Sequence, residues 1–405
     1  MKTVSGSNIV RVKSHNRQAI LLALLNAPAS RVELAKTLNI TSMTVTNIVS
    51  ELINEGWVCL KENETAVSRK KAGRPRETLQ INPEAGYVIS VHIGIGILRI
   101  GIVNLCGELI LLNEQPFDIT LPATAVLKQI ASEIKTIYQQ STIPNHKIFG
   151  IGVGSSGLID AQNGICVTAP SLQWHHVEIA QQLKRLTGFE VRVENNVRAM
   201  ALGEAHFGAG QNVSLCAMIY GRIGVGAGFV LNNELFRGVK AGAGEIGHTI
   251  IQPDSTIQCR CGQFGCLETI VTQPILESKL SQSKYAPLHT IATEVERFDY
   301  ILNLAKEGDP FVQTQMQLIA NYLSIAMINL VNTLNPEQII LGGMYAQGAE
   351  QFLPFLQESV RQKAFGGLGQ HVQIVAAQNG LQAGVIGAAS IALMAFFYKG
   401  HISQN

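Results

Sequence analysis

This chain lacks long apolar runs, carries little charge, and has few cysteines outside one short stretch. No uninterrupted apolar segment reaches the roughly 20 residues that cross a bilayer as a helix. The apolar stretch Ala388 to Phe397 is too short to span and is expected to pack as a helix. The opening Met1-Lys2-Thr3-Val4-Ser5-Gly6 has no apolar core of the secretion-signal type. No membrane insertion is therefore expected, and a cytoplasmic location is. Charged residues make up 15% of the 405 positions and hydrophobic ones 46%, which excludes a disordered chain and allows more than one domain. Cys59, Cys106, Cys166 and Cys216 are scattered, mostly in apolar, strand-like contexts. They read as buried thiols in a reducing compartment, not as a disulfide framework.

The net charge of +2 is unevenly spread: residues 1–80 hold 12 Lys and Arg against 6 Asp and Glu, so +6, and the remainder holds 19 against 23, so −4. A basic head on an acidic body suggests that the head meets a polyanion. Three helical patterns follow one another in it. Asn16 to Leu25 places Ile20, Leu21, Leu24 and Leu25 at helical spacing, and Pro28 closes it. Ser30 caps Arg31 to Leu38, with Glu33 completing a capping box. Asn39-Ile40 makes a tight turn. Thr41 or Ser42 caps a third helix that runs to about Asn54, and Gly56 stops it. Its apolar face is Val45, Ile48, Val49, Leu52 and Ile53, and its other face shows Ser42, Met43, Thr44, Thr46, Asn47 and Ser50.

That order predicts a helix-turn-helix with Ser42, Thr44, Thr46 and Asn47 as candidate DNA contacts in a major groove. Two strands follow, Trp57 to Leu60 and Glu77 to Ile81, flanking Arg69-Lys70-Lys71-Ala72-Gly73-Arg74-Pro75-Arg76. This reads as a basic wing, with Lys70, Lys71, Arg74 and Arg76 as further contacts to double-stranded DNA. The winged helix-turn-helix occupies residues 1–80.

In the body, Glu245-Ile246-Gly247-His248 precedes Cys259-Arg260-Cys261-Gly262-Gln263-Phe264-Gly265-Cys266-Leu267-Glu268. His248, Cys259, Cys261 and Cys266 have the number and type of ligands of a closed structural zinc site, Zn2+. All four ligands come from protein, so no coordination position is left for catalysis. A structural ion does not need the two interleaved carboxylates, Glu245 and Glu268, so the knot is expected to shape a polar small-molecule site. The body also repeats itself. The segments Tyr87 to Glu108 and Leu215 to Glu234 both read strand, glycine turn, strand, polar turn. Two such halves would build a two-lobed α/β body with a glycine turn in each lobe.

The run GEIGH followed by CxCGxxGCLE resembles the signature of the ROK family of sugar kinases, open reading frames and repressors. The likeness extends over essentially the whole chain, and the head resembles the winged helix of the family's repressors. It implies an actin-like, sugar kinase-like body. The first lobe would be 81–196 with 385–405. The second lobe, 197–384, would carry the zinc motif and a dimerisation surface. The family's kinases carry Asp-x-Gly-x-Thr in the first loop, where this chain has His92-Ile93-Gly94-Ile95-Gly96. Their second loop reads Gly-Thr-Gly, where this chain has Gly221-Arg222-Ile223. Arg222 would either bind a phosphate or stand where one would sit. Their Glu-Asn-Asp, with the Asp as general base, is Glu194-Asn195-Asn196 here. An amide has no proton-accepting pKa near neutrality, so Asn196 cannot be that base.

The family's sugar-binding positions match Asn195, Asn196, Glu245, His248 and Glu268, and the turn Gly154 to Ile159 is expected to line the same site. The resemblance therefore implies a sugar-responsive transcriptional regulator without kinase activity: a repressor of carbohydrate genes, released by a sugar or sugar phosphate. A xylose-responsive type is slightly preferred, because one acid of the hexose set is an amide. A homodimer or dimer of dimers would read the operator. Two alternatives stay open: an active sugar kinase with a DNA-binding head, and a repressor controlled by a sugar-transport protein.

Overall fold

The computed structural model describes residues 5–61, 77–281, 285, 288 and 290–399. Lys70, Lys71, Arg74 and Arg76 lie outside the described residues. The chain divides into two compact units, Met1–Asn196 with Ala388–Asn405, and Val197–Gly387.

The first unit opens with helix α1 (Ser5–Asn26), α2 (Arg31–Leu38) and α3 (Ser42–Asn54). α1 begins eleven residues before the periodic pattern does. Its extra turns carry Lys13, which pairs with Glu51 of α3 at 2.7 Å, and Arg17 a turn further on pairs with Glu55 at 3.1 Å. Such tertiary ion pairs leave no local signature. The Ser30–Glu33 capping box forms on α2, Asn39 takes the left-handed turn at φ 52°, and Thr41 rather than Ser42 caps α3. Val45, Ile48, Val49 and Leu52 are buried, as the helical spacing demands. Strands β1 (Val58–Leu60) and β2 (Leu79–Ile81) pair antiparallel, Cys59 opposite Gln80, as the base of the wing.

The same unit continues with β3 (Tyr87–Ile93), β4 (Ile97–Asn104), β5 (Leu109–Pro116), α4 (Ala123–Ser141) and β6 (Ile148–Ser155). A small sheet of β7 (Leu158–Asp160), β8 (Ile165–Ala169) and β9 (Trp174–Val177) follows, then α5 (Ile179–Thr187) and β10 (Val191–Asn195). The main sheet has the order β10-β6-β3-β4-β5, an antiparallel meander extended by two parallel strands. Ile89, Val91 and Ile93 pack with Val126, Ile130 and Ile134 of α4 in its core.

The second unit carries α6 (Asn196–Phe207), which begins at the boundary residue, then β11 (Leu215–Gly221), β12 (Val225–Leu231) and β13 (Glu234–Phe236). Helices α7 (Glu268–Val271), α8 (Gln273–Ser281), α9 (Glu294–Lys306) and α10 (Pro310–Leu334) come next. They lead to β14 (Gln338–Gly343), α11 (Met344–Gln347), α12 (Ala349–Lys363) and β15 (Gln373–Ala376). Its sheet order is β13-β12-β11-β14-β15, again an antiparallel meander plus two parallel strands. The sequence duplication is thus a duplicated sheet, one in each unit.

Helix α13 (Ala383–Leu393) passes from the second unit into the first, and a single π-helical stretch, Met394–Tyr398, ends it. Within the second unit a Cβ on Gly387 would lie 2.6 Å from the backbone of Ala199 and Met200. Within the first, a Cβ on Gly152 would lie 1.9 Å from the carbonyl of Ala388. Only glycine permits both approaches. The π turn then sets Phe397 edge-on to Trp57 of the head at 5.0 Å and stacked on Phe149 at 5.7 Å. Arg17 lies over Trp57 at 4.8 Å, and Gln18 donates to the Lys399 carbonyl at 2.8 Å.

Two stretches, Pro310–Leu334 and Gly380–Tyr398, are long and apolar enough to cross a membrane by length and average hydropathy alone, although neither is an uninterrupted apolar run. Glutamines and asparagines interrupt α10 without lowering its average far enough. Of these windows 44% and 72% are buried inside the structure, and helices that pack in a core show this too.

Candidate metal centre and flanking polar residues

The four candidate metal ligands are gathered by a narrow loop. Residues Ile246–His248 form one 3-10 turn, and bridges Ile250–Cys266 and Gln258–Phe264 close a hairpin after it. The Cys259 amide donates to the Gln263 carbonyl at 2.8 Å, which turns Cys259 and Cys261 to the same side. His248 Nδ1 lies 3.6 Å from Cys259 Sγ, Cys261 Sγ lies 3.7 Å from Cys266 Sγ, and all four ligand atoms fall within 4.8 Å of one another. A tetrahedral ion with bonds of about 2.0–2.3 Å needs edges of roughly 3.5–3.8 Å, so the donor set fits zinc. Burial, then the neighbouring thiols Cys261 and Cys259, push the Cys266 thiol up to about 12. A divalent cation reverses that preference by binding the thiolates. The ion would be held by these four side chains as a structural clamp. A metal on Nδ1 of His248 leaves the ring proton on Nε2, so one histidine can serve both as metal ligand and as a hydrogen-bond donor to a bound molecule.

Glu268 opens α7 and is buried. Its Oε1 accepts from Arg260 Nε at 2.7 Å, and its Oε2 accepts from Arg260 Nη2 at 2.7 Å and from the Val225 amide at 3.0 Å. Arg260 stands between two of the cysteine ligands, and its guanidinium lies so near Gly224 that a Cβ there would meet Nη2 at 2.3 Å. Sequence reading missed this arginine. Its place between Cys259 and Cys261, where a bound metal would fix the backbone, is the signal that could have found it. Glu245 is exposed at the start of the His248 turn.

Asn195 and Asn196 belong to the first unit by chain position, whereas Glu245, His248 and Glu268 belong to the second. Asn195 Nδ2 donates to the Gly157 carbonyl at 2.9 Å, and Asn196 Nδ2 donates to Ser156 Oγ at 3.3 Å. Both amides are therefore tied to the turn that the sequence singled out. A carboxylate at 196 could not donate that bond.

The two glycine turns differ from open phosphate loops. Arg222 is buried, donating from Nη1 to Gln273 Oε1 at 3.1 Å and from Nη2 to Gln347 Oε1 at 2.9 Å, with Glu294 4.0 Å from its Nε. The sequence left open whether this guanidinium awaits a phosphate, and it is instead committed to side chains of its own unit. His92 is buried, and neither ring nitrogen has a hydrogen-bond partner among the described residues. Burial first, and Arg99 second, lower its pKa to about 3, so it is neutral at physiological pH. The folded state then binds fewer protons than the unfolded chain between pH 3 and about 6.5. The His92 contribution to stability is complete above the upper limit and is lost as pH falls toward the lower. Urea unfolding at pH 7 and 5.5 should show a steeper loss in the natural chain than in His92→Asn. Parallel losses would refute this.

In the head, Ser42, Thr46 and Asn47 are exposed, whereas Thr44 is half-buried and its hydroxyl pairs with Thr41 Oγ1 at 2.9 Å.

Comparison with known proteins gives two family matches. Residues 88–395 match the model of the ROK family, and residues 13–58 match a winged helix-turn-helix DNA-binding model. A xylose repressor of Caldicellulosiruptor bescii is 30% identical over 88% of this chain and 90% of its own. The crystal structure of a ROK family transcriptional regulator, a homologue of E. coli Mlc, has a TM-score of 0.79 at 26% identity, covering 96% of this chain and 98% of its own. A ROK family glucokinase from Streptomyces griseus, solved with glucose and AMPPNP, has a TM-score of 0.66 at 27% identity over 76% of this chain and all of its own. The duplicated two-lobed body, the knot of one histidine and three cysteines, and the winged head with these matches assign the chain to the ROK family.

Proposed function

We propose that this chain is a sugar-responsive transcriptional repressor. Residues 1–80 bind operator DNA, and the body, 81–196 with 385–405 and 197–384, binds the effector without phosphorylating it. One observation carries the second half of this reading. Arg222, in the second glycine turn, holds its buried guanidinium on Gln273 and Gln347, so that cation is already committed and not held out to a phosphate. Asn196 adds to it, since an amide that donates to Ser156 replaces the carboxylate a kinase needs as base.

Asn195, Asn196, Glu245, His248 and Glu268 are the proposed sugar-holding side chains, with structural zinc on His248, Cys259, Cys261 and Cys266 keeping the last three in place. A pentose of the xylose type is the preferred effector, in keeping with the repressor relative and with the amide at 196. The protein acts in the cytoplasm as a homodimer, whose paired heads read a pseudo-palindromic operator. Sugar shifts an equilibrium between DNA-competent and incompetent states by its differential affinity for the two.

The test is titration of the protein onto DNA upstream of its own and adjacent genes, read by fluorescence anisotropy at fixed salt. Pentoses, hexoses and their phosphates are added in turn. Release by one sugar supports the reading, and binding that ignores every sugar points to a protein signal such as a transport component. Sugar-dependent ATP turnover would favour the kinase. Replacing Glu268 with Ala should raise the sugar concentration for release about tenfold or more while sparing sugar-free operator affinity. Unchanged release would remove Glu268 from the site.

A further inference from the structure

Helix α3 contains no lysine or arginine. It therefore cannot make the commonest base-specific contact, a cationic side chain on the guanine edge. Its acids are also occupied. Glu51 pairs with Lys13 at 2.7 Å and Glu55, just past its end, pairs with Arg17, so neither is offered to a cytosine amine. The hydroxyls thin out as well. Thr44 pairs with Thr41, and Ser50 donates to the Thr46 carbonyl at 2.8 Å. What remains on the exposed face near the helix start is Ser42, Met43, Thr46 and Asn47.

Met43 is 75% exposed, whereas Val45, Ile48, Val49 and Leu52 of the same helix are at most 2% exposed and Ile53 is half-buried. A single exposed methionine is ordinary by itself. Here it lies one helical turn before Asn47, at i and i+4, on the same face of the helix. Asn is the side chain that can bond bidentately to the N6 and N7 edge of adenine, and an apolar group suits the thymine methyl.

Resting on the reading that the head binds DNA, we infer that Met43 and Asn47 make this helix a reader of A·T pairs. Asn47 takes an adenine edge and Met43 packs on a thymine methyl. Ser42 and Thr46 add short hydroxyls that accept either base.

The full-length protein is used to select duplexes from a pool with randomised half-sites. The expected site has adjacent A·T pairs in each half. Asn47→Ala should weaken binding to that site by roughly 5- to 150-fold and relax the preference at one position. Asn47→Arg should switch that position to G·C, a gain that misfolding cannot imitate. Replacing the contacted thymine with deoxyuridine removes only its methyl. This should weaken the natural protein about threefold or more and leave Met43→Ala indifferent. Tight binding to a site with G·C at those positions, or indifference of the natural protein to deoxyuridine, overturns the inference and leaves the DNA-binding reading standing. Absence of any sequence preference overturns both.

Discussion

Replacement of Cys261 by Ser is expected to abolish binding of the proposed zinc and, with it, sugar-dependent release of DNA. Cys261 is the informative ligand because it is exposed, while Cys259 and Cys266 are buried. Serine at 261 sacrifices no burial, so any large effect must come through the ion. Without the metal, the three thiols and the imidazole, within 4.8 Å of one another, lose the ion that would join them. The loop keeps backbone bonds such as Ile251 to Gly265 at 2.8 Å and Leu267 to Thr249 at 3.0 Å, and the Arg260–Glu268 pair. Metal-ligand free energy is folding free energy for such a loop. The natural chain should contain about one zinc per subunit by elemental analysis. The variant should lose it and melt roughly 5 °C or more lower. His248 would lose its fixed position, and the loop that carries Arg260 would hold Glu268 less firmly. A variant that lacks zinc but melts and responds to sugar normally would show that the knot is ornamental.

Phe397→Ala is expected to have the second large effect, and a different one. Phe397 is fully buried between Trp57, Phe149 and Tyr398, and removing such a ring costs about 3–5 kcal/mol. Those contacts are where α13, having started in the second unit, ends beneath the head. With the ring gone, the head keeps its own core and should still bind operator. The sugar should lose most of its influence on that binding, because a ligand can shift only an equilibrium to which its site is mechanically joined. Trp57 emission should shift to the red as the indole gains water. The other tryptophan, Trp174, is 2% exposed and serves as the internal reference. Full sugar control in Phe397→Ala, or in the milder Phe397→Leu with a blue Trp57, would show that coupling runs elsewhere.

Much of this was legible from local chemistry. The Ser30–Glu33 box, the apolar face of α3 and the spacing of His248 and its three cysteines depend on residues near one another in the chain, and each formed. The repeated strand–turn–strand pattern also foretold two like sheets. What could not be read depends on partners far apart in sequence. Lys13 and Arg17 of α1 pair with Glu51 and Glu55, each 38 residues away. The fate of Arg222 was set by Gln273 and Gln347, 51 and 125 residues on, and that of Glu268 by Arg260 on the cysteine loop. Sequence by itself therefore determined the kinds of element and the donor chemistry available, because short-range hydrogen bonding and periodic burial are local. Only the tertiary structure decided which polar groups are already engaged, because that depends on which distant side chain reaches them first.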